Sequence, residues 1–253
     1  MFPTVNRRYN ISKLANRKKR KFSEKFHPLF IQILKIFNFL STVYIFDLKR
    51  GIDEDELINQ KGLGDYKKIQ IFGSEQKFNT MNIVKHQKVL KPIIPILASE
   101  INGQKTKFLC HGVRNGTELK AFSILLRDHD IDFMGTDINP QADKIENCVT
   151  HDFHEPISTN YGKFNIIYTN SLDQARNPKL ALQSMYSDLY SGGLLILHFT
   201  EFHGKRGFAT LDPFMCEIEF FPYLILKWFN FELKLSFISD EKYNRRGWYI
   251  IRK

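Results

Sequence analysis

Residues 107 to 116, Lys-Phe-Leu-Cys-His-Gly-Val-Arg-Asn-Gly, carry the densest chemical information in this chain: an apolar run breaks at a glycine and leads into helix-forming residues. A strand that turns through glycine into a helix offers unpaired backbone N–H groups, reinforced by the helix dipole, to an adenosine-containing cofactor. About 20 residues past the second glycine comes Phe133-Met134-Gly135-Thr136-Asp137, an apolar run with a carboxylate at its tip, at the distance where such folds grip ribose hydroxyls. The two signals are independent and agree.

Other residues have the right type for acid–base or metal chemistry. Asp173, His198, Glu201 and His203 lie near predicted strand ends and are candidate general bases, with Asp173 first and His203 second. Each also has a plain structural reading as a cap, a turn bond or a solvated loop residue. Cys148, His151 and His154 have ligand-like spacing, but alternating strand positions send Cys148 and His151 to opposite faces, and no second compact pair completes a tetrahedral set. No metal site is expected. His111 reads as a cofactor-loop or core residue.

The elements that must position these groups follow from periodicity. From Lys105 onward short apolar runs alternate with helical stretches, the pattern of a parallel sheet covered by helices on both faces. Strands are predicted at Phe108 to His111, Asp132 to Thr136, Cys148 to His151, Phe164 to Thr169 and Leu194 to Phe199, and helices at Gly116 to Asp128 and Pro178 to Tyr190. The second of these helices begins at a proline and is followed by Gly192-Gly193, the usual start and stop signals. A helix near Pro213 to Trp228 is followed by strands over Phe229 to Ile238 and Gly247 to Arg252. About eight residues separate those two, too few for a parallel crossover, so they pair as an antiparallel hairpin. The expected architecture is α/β: a Rossmann-like seven-stranded sheet, mostly parallel, with a C-terminal antiparallel hairpin and an N-terminal helical arm.

Over residues 105 to 253 the chain resembles class I S-adenosylmethionine-dependent methyltransferases. Within them it is similar to a bacterial group whose first loop reads Cys-His-Gly-x-Arg-Asn-Gly, matched by Cys110 to Gly116. Further matches are Asp152-Phe153-His154-Glu155, Asn170-Ser171-Leu172-Asp173 before Pro178, Gly192-Gly193 before an apolar strand, and Asp212-Pro213-Phe214. The resemblance implies that Gly112, Arg114 and Gly116 form the cofactor loop and that Asp137, with Ile138 beside it, takes the ribose. It implies further that Asp152 and Phe153 flank the adenine, and that Asn170 and Ser171 stand beside the methyl group. S-adenosylmethionine is the implied cofactor, and a small-molecule or glycan-type acceptor the implied partner. Two positions depart from the superfamily: Cys110 stands where an acid is usual, and Arg114 where a glycine is usual. Glu118 either supplies the missing charge or is a solvated acid at a helix N-terminus.

Rival readings come from other classes. Tyr223 and Lys227 have the spacing of a short-chain NADP-dependent reductase pair, but the Gly112 to Gly116 loop lacks the glycine step that cradles a pyrophosphate. An inactive cofactor-binding adaptor docked to a membrane is another alternative. A DNA base is disfavoured, because Asn170-Ser171-Leu172-Asp173 has no proline to shape a pocket for it. An RNA methyltransferase served by the basic N-terminal arm is the remaining alternative.

That arm holds the charge asymmetry of the chain. Residues 1 to 50 contain 12 Lys/Arg against 2 Asp/Glu, while the rest carries 25 of each sign, so the net charge of +10 belongs to the first fifth. Any polyanionic partner is therefore a partner of the arm. Behind Asn16-Arg17-Lys18-Lys19-Arg20-Lys21, the segment Pro28 to Phe46 gathers Leu29, Ile33, Ile36, Leu40 and Val43 on one helical stripe, with Gln32, Lys35, Asn38 and Thr42 mostly opposite. A membrane span would hold Lys35 near mid-bilayer at a cost of ~2.5–3.5 kcal/mol, which disfavours it. Packing on the catalytic domain is the leading reading, and a peripheral contact of residues 1 to 46 with anionic membrane the second. The division expected is residues 1 to 80 as arm and linker, the last 30 of them a loop-rich linker or lid, and 81 to 253 as the methyltransferase domain. Helical periodicity resumes from Val84 to Glu100, interrupted by Pro92 and Pro95. Three cysteines form no even framework, and with no secretory signal expected the location expected is cytoplasmic.

Overall fold

Continuous apolar runs, whose successive side chains point to opposite faces, divide the molecule into layers. In the computed structural model, which describes residues 66–76, 82–101, 103, 105–157, 159–200, 214, 220–239 and 246–253, seven strands form one sheet. They are β1 (Thr106–His111), β2 (Ile131–Asp137), β3 (Cys148–Thr150), β4 (Phe164–Thr169), β5 (Leu189–Thr200), β6 (Lys234–Ser239) and β7 (Arg246–Arg252). Helices among the described residues are α1 (Tyr66–Gln76), α2 (Ile83–Leu90), α3 (Ile94–Ile101), α4 (Thr117–Leu125), α5 (Pro178–Ser187) and α6 (Phe221–Trp228).

Successive side chains of a strand point to opposite faces. On one face Phe108, Cys110, Ile166, Tyr168, Leu194, Ile196, Trp248 and Ile250 pack with Leu90, Leu97 and Phe122 of α2 to α4. On the other face Leu109, Ile167, Leu195, Leu197, Tyr249 and Ile251 pack with Leu182, Met185, Leu224 and Trp228 of α5 and α6. Burying each such side chain contributes ~1.5–3 kcal/mol, so both helical layers are held mainly by the apolar faces they cover.

The strand order is β3-β2-β1-β4-β5-β7-β6. Strands β1 to β5 pair in parallel, and β7 is antiparallel to both β5 and β6. The expected hairpin is present, with β7 inserted between β5 and β6, so that β6 runs in the same direction as the first five strands. The order reverses at β1 and β4, and that switch point is where open α/β sheets bind ligands, beyond the carboxyl ends of the strands.

Three local expectations need correction. Residues 66 to 76 are helical where the sequence suggested a loop-rich linker or lid. Gly192-Gly193 does not follow the preceding helix directly: α5 stops at Ser187, where the Asp188 N–H caps it, and the glycines lie inside β5. Gly192 has φ +82 and sits where the β4–β5 register shifts, a conformation glycine adopts without penalty. The last hairpin starts at Lys234 rather than Phe229, because Asn230 and Phe231 take φ of 54 and 62 and break the extended chain.

Proline signals read more directly. Pro92 opens a short 3-10 turn between α2 and α3, so the interruption bends the helical run without ending it. Pro178 starts α5, whose Asn177 cap accepts from the Leu180 N–H at 2.9 Å.

Candidate functional site

The strand-to-helix turn after β1 is built from left-handed residues. Gly112 and Gly116 have φ of +74 and +73, and Arg114, between them, is also left-handed at φ 50. A non-glycine residue in that region costs ~1–2 kcal/mol. One compensation is direct: the Arg114 N–H donates to Asp137 Oδ2 at 2.8 Å. A Cβ at Gly112 would collide with Ser171 Oγ, so the turn is drawn against the end of β4.

Asp137 closes β2 and is buried. Its other oxygen, Oδ1, accepts from the Asn139 N–H at 2.9 Å. Burial pushes its carboxyl above the ordinary value, partly offset by these backbone donors. The carboxylate is thereby held in one orientation at the strand end while its oxygens keep lone pairs for further donors.

Asp152 lies beyond β3. Its Oδ1 accepts from His154 Nδ1 at 2.6 Å and from the His154 N–H at 3.1 Å. His154 Nε2 in turn accepts from the Asn177 N–H at 3.3 Å, so the ring proton sits on Nδ1 and the pair is a hydrogen bond of a neutral imidazole. Burial alone would raise the Asp152 carboxyl; the His154 hydrogen bonds, aided by Lys67, pull it below the ordinary value. Its Oδ2 is buried without a hydrogen-bond partner, with Lys67 Nζ at 3.6 Å.

Gly112, Arg114, Asp137, Ile138, Asp152 and Phe153 line one cavity together with Tyr66, Gln70, Ser74 and Gln174. Gly116, Asn170, Ser171 and Asp173 lie outside its wall. Gly116 instead precedes α4 and packs so tightly on Ile145 that a Cβ would approach to 2.7 Å. Asn170 and Ser171 continue β4, and Asp173 sits buried on the short turn Leu172–Gln174, where its carbonyl accepts from the Phe214 N–H at 2.9 Å. Glu201 and His203 lie outside the described residues. His198 is in β5, stacked on Trp248 with centroids 5.2 Å apart. Tyr223 and Lys227 lie on α6, on the far side of the sheet from α4.

Glu118 is not a solvated helix acid. It is 4% exposed, and its Oε1 accepts from Asn170 Nδ2 at 3.0 Å and Tyr168 Oη at 3.2 Å, with His86 Nδ1 of α2 at 3.4 Å. Asn170 Oδ1 accepts from Ser171 Oγ at 2.9 Å, which links the end of β4 and α4 in one polar chain. Among the described residues no group of three His, Cys, Asp or Glu side chains could hold a metal. The spaced residues have separate partners: Cys148 Sγ lies where a Cβ on Gly135 would meet it, and His151 Nε2 faces the Glu155 carbonyl at 2.9 Å.

Sequence reading missed the wall formed by α1. Tyr66, Gln70 and Ser74 are spaced at i, i+4 and i+8, one helical stripe, but the glycines at 62, 64 and 73 hid the period. Among the described residues no helix is long and apolar enough to cross a membrane.

No protein-family model matches the chain, and no curated protein matches it. Solved structures do. The plantazolicin methyltransferase BpumL in complex with SAH is 11% identical and covers 85% of this chain and 99% of its own, with a TM-score of 0.53. The CurJ carbon methyltransferase is 13% identical over 98% of this chain and 71% of its own, TM-score 0.47. A TehB-like SAM-dependent methyltransferase from Corynebacterium glutamicum is 15% identical over 72% and 98%, TM-score 0.46. With the strand order above, the chain has the fold of the class I methyltransferases.

Proposed function

We propose that the chain is an S-adenosylmethionine-dependent methyltransferase acting on a small-molecule or glycan-type acceptor. The observation that carries this reading is one cavity, at the carboxyl ends of the strands, that holds two buried carboxylates in different states of satisfaction. Asp137 is oriented by two backbone N–H groups and suits the vicinal hydroxyls of a ribose. Asp152 Oδ2 has no hydrogen-bond partner and suits the amino group of an adenine, with Phe153 beside it as an apolar face.

The bound cofactor would supply the activated methyl group, so the protein's work is alignment and exclusion of water. Gly112 allows the turn to approach Ser171, and Glu118 fixes the Asn170 amide at the end of β4. Asp173 is the first choice for taking a proton from a hydroxyl or ammonium acceptor, and His203 the second. The acceptor class is supported by the resemblance of the loop motifs and is compatible with the likeness in fold to the plantazolicin methyltransferase BpumL.

Calorimetry with S-adenosylhomocysteine and NADPH tests the assignment. Binding of the former alone is expected, and Asp137→Ala should weaken it at least tenfold, about 1.4 kcal/mol. NADPH binding without S-adenosylhomocysteine binding would refute the proposal, and unchanged affinity in the variant would remove the ribose contact.

A further inference from the structure

Helix α1 stands apart from the sheet yet forms a wall of the cavity that contains Asp137 and Asp152. Ser74, on its cavity-lining stripe, is buried, and its Oγ has no hydrogen-bond partner. Asp152 Oδ2, in the same cavity, shares that condition. Two buried polar atoms left unsatisfied around one space mark a place where a ligand supplies the missing partners.

Polar and ring contacts hold α1 in place, among them Arg176 over the Tyr66 ring at 5.6 Å. Tyr66 Oη donates to the Gln174 carbonyl at 2.7 Å, and Asn139 Nδ2 donates to the Ile71 carbonyl at 3.5 Å. The Tyr66 ring meets His154 edge-on at 5.6 Å. Lys67 Nζ lies 3.6 Å from Asp152 Oδ2, beyond hydrogen-bond length, with 59% of its side chain exposed. The cavity beneath has a volume of about 20 Å³. Tyr66, Gln70 and Ser74 of α1 line the site, so a shift of this helix widens it.

We infer that α1 is a latch on the nucleoside site, in which Lys67 guards Asp152 Oδ2 until the ligand's amino group displaces it and Ser74 then hydrogen-bonds the ligand. The inference rests on the cofactor reading above. The exchange is chemically matched: Oδ2 belongs to an acceptor-only carboxylate, adenine's amino group is a neutral donor able to reach hydrogen-bond distance, and the released ammonium returns to water.

Calorimetry with S-adenosylhomocysteine on the full chain, Lys67→Met and Ser74→Ala, in about 50 mM and about 300 mM NaCl, tests it. Lys67→Met is expected to bind roughly two- to fivefold tighter at low salt, the strength of an exposed ion pair. Added salt should close the gap by tightening the wild type, since the competing pair is screened. The inosine analogue, with a carbonyl in place of the amino group, should gain nothing from Lys67→Met. Ser74→Ala should bind about three- to tenfold more weakly.

Equal or weaker binding by Lys67→Met at both salts overturns the latch, and unchanged affinity in Ser74→Ala overturns the assignment of its hydroxyl. Either result with wild-type binding intact leaves the cofactor reading standing. Absence of wild-type binding removes both.

Discussion

His111 ends β1 with its ring shut away from water. Its Nδ1 meets Thr136 Oγ1 at 2.7 Å, and its Nε2 is buried without a hydrogen-bond partner. Burial, aided by His151, pulls its pKa from 6.5 down to about 3. Between those values the unfolded chain carries a proton on this ring that the folded chain does not. Stability must therefore fall as pH drops through that window, by up to ~1.4 kcal/mol per unit from this group. Urea midpoints measured from pH 7 to pH 4 should show that slope, and His111→Gln should flatten it. An identical slope in the variant would assign the acid sensitivity elsewhere. At this scale the sequence singled out Asp137, because a carboxylate after an apolar strand has a fixed place in a parallel sheet, whereas Asp152 was singled out through the resemblance. It did not expose the burial of Glu118. Whether an acid on a first helical turn faces water depends on α2, whose His86 comes from 32 positions earlier.

Elements were legible where one period ruled. The central strands are short continuous apolar runs buried on both faces, and β1, β2 and β4 lie close to where those runs put them. The misreadings at residues 66 to 76 and at Gly192 share a cause: glycine marks freedom, and the neighbours decide how it is used. Gly192 bulges a strand, while Gly247 permits a close approach. A Cβ at Gly247 would overlap the Ile238 carbonyl and the Phe237 ring across the β6–β7 pair. Gly247→Ala should cost ~1–3 kcal/mol by overpacking, seen as a lower thermal midpoint. A midpoint equal to wild type would mean that β6 yields freely. Helix α1 was hidden for a related reason, since its stripe of Tyr66, Gln70 and Ser74 is polar and matches no apolar template.

For the molecule as a whole, charge and fold are distributed differently along the chain. The net charge of +10 comes from residues 1 to 50, which lie outside the described structure, whereas the sheet and cavity belong to a portion with balanced charge. Electrostatic attraction to a polyanion and affinity for the cofactor should thus be separable. Deleting residues 1 to 27 is expected to reduce sedimentation with anionic vesicles and to leave S-adenosylhomocysteine affinity within about twofold. Equal sedimentation of both proteins would discard the lipid contact. The placement of β7 bears on how the chain is made. It fills the gap between β5 and β6 with residues 246–252, and the Lys253 side chain donates to the Tyr186, Ser187 and Leu189 carbonyls. Until those residues leave the ribosome, β5 keeps a bare hydrogen-bonding flank for roughly fifty residues' worth of translation, an interval in which nascent copies on one messenger can stick to each other.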